Sequence, residues 1–161
     1  MKKRGTRSVV EILLVEDRRG DVRLMQEAFH EAGSFARLNV AHDAAQALAF
    51  LRREPPYQAS PRPSLILLDL NLPGANGSEL LAEIKNGREL RHIPVIVLST
   101  STRVEDITTA YNLHANCYIS KPPDLESLID LVHMIDAFWL GTAAIVDANP
   151  RAKTLVARRS A

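Results

Sequence analysis

Acidic, hydroxyl and amine side chains follow short apolar runs at four places in this chain. Ile12-Leu13-Leu14-Val15 leads into Glu16-Asp17, and Leu65-Ile66-Leu67-Leu68 leads into Asp69. Pro94-Val95-Ile96-Val97-Leu98 hands over to Ser99-Thr100-Ser101, and Cys117-Tyr118-Ile119 to Ser120-Lys121-Pro122. Carboxylates gathered in one place repel one another unless a cation sits among them. Hard oxygen ligands with room for water suit Mg²⁺. A phosphoryl group carried on a carboxylate oxygen needs the same residue types. Metal-binding acids and a lysine neutralise its oxygens, and a hydroxyl donates to one of them. Asp69 is the candidate nucleophile, since a carboxylate can form an aspartyl phosphate. Glu16, Asp17 and Asp69 are the candidate metal ligands, and Ser99, Thr100 and Lys121 the candidate phosphoryl-binding groups.

These residues react together only if the chain brings four strand ends to one edge, and its pattern predicts that. Runs of branched aliphatics bounded by turn residues read as strands buried on both faces. The expected strands are Glu11–Val15, Arg37–Ala41, Leu65–Asp69, Pro94–Leu98 and Cys117–Ile119. Helical spacing lies between and after them. The first helix runs from about Gly20 to Ala32, with Val22, Met25, Phe29 and Ala32 inward and Gly33 as its stop. The second is capped by Asp43, with Gln46 at capping-box spacing. The third opens at Asn76, the fourth near Thr102 with Glu105 as box partner, and the fifth spans Asp124 to about Leu140. Strands alternating with helices imply a parallel sheet covered on both faces, an α/β three-layer sandwich. Right-handed crossovers leave few topologies, and five units fit the flavodoxin-like (βα)5 order 2-1-3-4-5 best. In that order the first and third strands are neighbours, so Glu16, Asp17 and Asp69 meet at the carboxyl edge.

The 161 residues suit one domain with tails. A net charge of +1 makes no electrostatic case for nucleic acid. Basic residues gather at the two ends, in Lys2-Lys3-Arg4 with Arg7 and in Arg151, Lys153, Arg158 and Arg159, and read as solvated tails. The lone Cys117 excludes an internal disulfide and fits a reducing compartment. No apolar stretch approaches the roughly 20 residues of a membrane helix, and no secretory core follows the basic start, so cytoplasm is the expected location.

Taken in order, these pieces resemble the response-regulator receiver domain of two-component signalling. They are Glu16-Asp17, Asp69-Leu70-Asn71-Leu72-Pro73 with Gly77, Ser99, and Lys121-Pro122, and the likeness covers about residues 10–140. The resemblance implies a signalling protein, not an enzyme, phosphorylated on Asp69 by a sensor histidine kinase and at most slowly dephosphorylating itself. It implies a Mg²⁺ site from Glu16, Asp17, Asp69 and the backbone carbonyl of Asn71, with Glu16 standing where many receivers have Asp. It makes Ser99 and Tyr118 a coupled switch that alters the face formed by helix four, strand five and helix five. It also implies a cis peptide bond before Pro122. A narrower resemblance, to regulators paired with phytochrome kinases, rests on Leu14-Val15-Glu16-Asp17, Gly20-Asp21-Val22-Arg23-Leu24, Val97–Ser101, Asn116–Ile119 and Phe138-Trp139-Leu140. It implies a bacteriophytochrome as phosphodonor.

The expected organisation is a basic tail over 1–8, a receiver over 9–140, and an extension over 141–161 too short for an output domain. Along the fifth helix Leu125, Leu128, Ile129, Val132, Ile135 and Trp139 form one apolar stripe, and Leu131, Met134 and Phe138 a second beside it. A surface helix normally buries an arc of ~100° or somewhat more. The surplus marks Leu131, Met134 and Phe138 as candidates for a homodimer interface, unless the apolar extension folds back over its own helix. Two other functions stay in view. A receiver-like module acting only by contact would lack one of the acids or the lysine, all of which are present. A dehalogenase-type phosphatase needs a second acid two residues after its nucleophile, where Asn71 stands here.

Overall fold

The computed structural model describes residues 9–74 and 76–145. The basic tail over 1–8 and the extension from 146 onward lie outside the described residues. Five strands, β1 (Glu11–Val15), β2 (Arg37–Ala41), β3 (Leu65–Asp69), β4 (Val95–Ser99) and β5 (Cys117–Ser120), form one sheet. All pairings are parallel and the order is β2-β1-β3-β4-β5, as the pattern predicts. The helices are α1 (Arg19–Glu31), α2 (Ala44–Arg52), α3 (Gly77–Asn86), α4 (Val104–Asn112) and α5 (Leu125–Ile135), with a π-helical turn at Asp136–Leu140.

Successive side chains of a strand point to opposite faces, which divides the core in two. Leu13, Val15, Ile66, Leu68, Val95 and Val97 pack with Leu51, Leu80, Leu81 and Ile84 of α2 and α3. Ile12, Leu14, Leu65, Leu67, Ile96 and Leu98 pack with Val22, Met25 and Phe29 of α1 and Leu128, Val132 and Ile135 of α5. Central β3 and β4 are buried along their whole length, whereas β2 and β5 are the partly exposed edges. Among the described residues no helix is long and apolar enough to cross a membrane.

Three of the five described α-helices, α2, α3 and α5, start after a polar residue whose side chain satisfies one of their first N–H groups. Asp43 accepts from Gln46 N at 2.7 Å, and Asp124 from Ser127 N at 2.8 Å. The Gln46 amide closes its box one residue early, accepting from His42 N at 2.9 Å. The fourth helix departs from expectation. It begins at Val104, and neither Thr102 nor Glu105 caps it, because Ser101 Oγ takes the Arg103 N–H at 3.3 Å.

The fifth helix is also not one regular element. Its α-helical part ends at Ile135 and widens into the π turn, where Asp136 Oδ1 accepts from Ser34 Oγ at 2.8 Å. A π turn inserts a residue and so resets which side chains face inward. Trp139 and Leu140 pack on the core behind α1 and α5, while Phe138 remains 55% exposed. Leu131 departs from the expected interface set, for although it lines the groove between β5 and α5 it is not a surface residue. It is only 3% exposed and belongs to the α1–α5 core, because its spacing from Leu128 and Ile135 puts it on their stripe. Met134 stays 59% exposed. In the described part of the extension Thr142 N donates to Phe138 O at 3.1 Å, one last turn past Gly141, and Ile145 is buried.

Candidate functional site

The parallel register sets the site. Val15 pairs with Leu68 and Asp69 with Leu98, so β1, β3 and β4 end together and their next residues share one edge. Glu16 and Asp69 are 2% and 6% exposed, and oxygens of Glu16, Asp17 and Asp69 lie within 4.8 Å of one another. Among the described residues this is the one acidic or histidine group arranged to hold a metal ion. Asp17 Oδ1 is buried with no hydrogen-bond partner. A buried carboxylate oxygen without a donor is costly, and a hard cation satisfies it. The donor set therefore fits a divalent metal.

Lys121 enters from the end of β5. Its backbone N–H donates to Ser99 O at 2.8 Å, which fixes the residue at the mouth of β4. Its ammonium donates to Glu16 Oε2, to Asp21 Oδ2 at 2.9 Å and to Asp69 Oδ2 at 3.1 Å. The expected cis bond before Pro122 is absent. The described cis bond is Pro55–Pro56, and Lys121–Pro122 is trans. The lysine stem reaches Asp69 from the trans backbone, so no reversal of the chain is needed there.

The other oxygen of Asp69, Oδ1, accepts from Asn71 N at 2.9 Å. The loop carrying Asn71 is pinned where α3 begins. Gly77 N donates to Leu70 O at 3.2 Å, and a Cβ at Gly77 would lie 2.5 Å from Leu70 Cα. Only glycine permits that approach. The Asn76 side chain accepts from Ser78 N at 3.0 Å and starts the helix.

The hydroxyl groups differ in burial. Ser99 is 1% exposed, whereas Thr100 faces solvent. Ser99 Oγ accepts from Ser101 N at 3.2 Å, and Tyr118 Oη donates to Ser101 O at 2.8 Å. Ser101 thus stands between the buried hydroxyl and the ring expected to move with it. Tyr118 N in turn donates to the Tyr111 hydroxyl at 3.1 Å.

Sequence reasoning did not assign Asp21, Ser101 or Tyr111 to the site. Asp21 carried one readable signal, a carboxylate in the first turn of a helix starting at the strand edge. Its pairing with a lysine 100 residues away had none.

Burial shapes the charges. Removal from water raises the Glu16 carboxyl from the ordinary 4.5 to about 7, with the Lys121 ammonium and the Arg18 N–H pulling it down and Asp69 pushing it up. Burial works against the charge of Lys121, but its hydrogen bonds to Glu16 and Asp21 and the nearby Asp69 hold its pKa above the usual lysine range.

The sequence family described as "Response regulator receiver domain" matches residues 12–133. The chain belongs to the response-regulator receiver family. Response regulator Rcp1 of Synechocystis sp. is 46% identical over 134 residues, which cover 83% of this chain and 91% of Rcp1. The crystal structure of the phosphorylated cyanobacterial phytochrome response regulator RcpA superposes with a TM-score of 0.80 at 46% identity, covering 86% of this chain and 99% of RcpA. The Mn²⁺-bound form of Rcp1 superposes with a TM-score of 0.77 at 45% identity, over 85% and 99% of the two chains. Receivers are signalling proteins that accept a phosphoryl group on an aspartate and bind a divalent metal. In this chain Glu16, Asp17 and Asp69 are grouped as a metal site requires.

The raised pKa of Glu16 gives this receiver a signed pH dependence. Between about 4.5 and about 7 the folded chain binds more protons at Glu16 than the unfolded chain. Its contribution to stability therefore falls as pH rises through that window. Urea unfolding with a chelator present should show this against Glu16→Gln. The wild type should lose stability relative to the variant from pH 4.5 to 7.5, by an amount on the order of 2 kcal/mol. A difference that is flat with pH would show that burial does not hold the proton on Glu16.

Proposed function

We propose that Asp69 accepts a phosphoryl group, with Mg²⁺, from a sensor histidine kinase of the phytochrome class. The observation that carries this reading is the convergence on Asp69 of the Lys121 ammonium with Glu16 and Asp17. An Asp69 oxygen bonds phosphorus while the phosphorus–nitrogen bond of the donor phosphohistidine breaks, its electron pair going to the imidazole. Mg²⁺ bound by Glu16, Asp17, Asp69 and the Asn71 carbonyl supplies charge neutralisation. Lys121 supplies a further positive charge beside the acceptor, and Ser99 a buried hydroxyl at the neighbouring strand end. The likeness to RcpA, a phytochrome response regulator, supports the class of kinase. Acetyl phosphate with Mg²⁺ should label the wild type once and Asp69→Asn not at all. In a panel of phosphorylated kinases, transfer should be fastest from a phytochrome-class donor. Labelling of Asp69→Asn, or uptake indifferent to chelation, would reject the site.

The signal leaves through Ser99. A phosphoryl group adds about two negative charges and new acceptor oxygens. The Ser99 hydroxyl turns towards it and releases Ser101 N–H, and the Tyr118 ring follows with the Ser101 carbonyl. The surface of α4, β5 and α5 changes as a result. Ser99→Ala should still be phosphorylated, but amide spectra of Tyr111 and Tyr118 should shift far less than in the wild type. Shifts of equal size in both proteins would exclude this route.

The same face pairs two copies of the chain. A groove of about 490 Å³ lies between β5 and α5, lined by Cys117, Ile119, Met134 and Phe138 among other apolar residues. Exposed apolar surface of this kind usually marks an interface. The wild type should sediment as a dimer at micromolar concentration, and Met134→Asp with Phe138→Asp as a monomer with an unchanged circular dichroism spectrum. A monomeric wild type, phosphorylated or not, would remove the dimer.

A further inference from the structure

Lys121 and a divalent cation make conflicting demands on the same carboxyl groups. The lysine ammonium is bonded to Glu16 and to Asp69, which are two of the three acids placed to hold a metal. Two positive charges in contact with the same carboxylates repel strongly in a site this poorly hydrated. A cation that takes Glu16 and Asp69 therefore has to displace the ammonium. Lys121 cannot simply withdraw into the protein, where an unpaired charge is costly. Its backbone is tied to Ser99 O, so the amine has only a short arc through which to move.

Asp21 stands on that arc. Its Oδ2 already accepts from the amine at 2.9 Å, and its side chain is 32% exposed, against 3% for Glu16 and 7% for Asp69. It is the outermost of the three acceptors. Asp21 is also absent from the acidic triad, so the cation does not compete for it. Its seat in the first turn of α1, beside the helix N-terminus, favours a negative charge there.

We propose that Asp21 is a positioning residue that holds the Lys121 ammonium when a divalent cation occupies the triad. Asp21 lets the lysine yield Glu16 and Asp69 without becoming unpaired. It keeps the amine near Asp69, ready for the phosphoryl oxygens. This inference rests on the phosphoacceptor reading of the site, but it concerns metal entry alone.

The test is Mn²⁺ binding to the full chain, followed by the electron paramagnetic resonance of the free ion. Asp21→Asn, which keeps the shape and removes the charge, should weaken Mn²⁺ binding about three- to ten-fold. In a Lys121→Met background, where no ammonium needs a resting place, the same substitution should change affinity less than two-fold. Asp21→Glu should restore most of the loss. Urea midpoints of all variants establish that each is folded. An equal effect of Asp21→Asn with and without Lys121 would mean that Asp21 acts only as background charge, and would overturn the proposal. So would unchanged affinity in Asp21→Asn. The Asp17→Asn variant separates the two claims. If it too binds Mn²⁺ like the wild type, the triad itself is wrongly assigned. If it alone fails, the triad stands and Asp21 has no part in it.

Discussion

The site depends on one ion cluster, an ammonium held by carboxylates from three separate elements. Glu16 comes from the end of β1, Asp21 from the first turn of α1, and Asp69 from the end of β3. Such groups are seldom buried unless paired. Here each partner justifies the burial of the others. Removing one leaves charge uncompensated in a poorly solvated place, which is far more costly than losing a surface ion pair. The arrangement stabilises the fold less than it specifies it. Its members share one location only when β1, β3 and β5 all end at the same level.

That level is a property of the sheet. A parallel sheet ends all its strands with the same polarity, and its buried strands carry polar side chains at their ends rather than along their length. The aliphatic runs of β1, β3 and β4 each stop where the first polar group appears, and the register aligns those stops. The β3–α3 loop adds a second control. With Gly77 pressed against Leu70, the Asn71 N–H is fixed on Asp69. The helix start and the strand end behave as one rigid unit.

The strands and the acidic triad were legible because each is marked locally. Each acid sits next to its own aliphatic run, and a two-residue period assigns faces without knowledge of the rest. What escaped the sequence depends on distant partners or on small shifts of phase. Thr102 and Glu105 had the spacing of a capping box, yet Ser101 had the better geometry for the free N–H of Arg103. Leu131 was assigned to a second stripe beside the one that covers the sheet, but the face α5 shows α1 is wide enough to include it. The cis bond before Pro122 came from resemblance alone. The lysine stem is long enough that the backbone need not reverse. Asp21 was visible as a helix-start acid, but its role follows from a contact across the whole fold.

The contact between Tyr118 N–H and the Tyr111 hydroxyl has a consequence for assembly. β5 is an edge strand, and an edge strand offers free donors on which another chain can build a further strand. The phenol of Tyr111 occupies one of those donors from its own helix. The sheet therefore ends with a plug at this point. A second chain cannot add a strand at Tyr118 while that bond holds, so a partner on this edge would meet side chains instead. A contact made through side chains breaks more readily than a continuous ladder of backbone bonds.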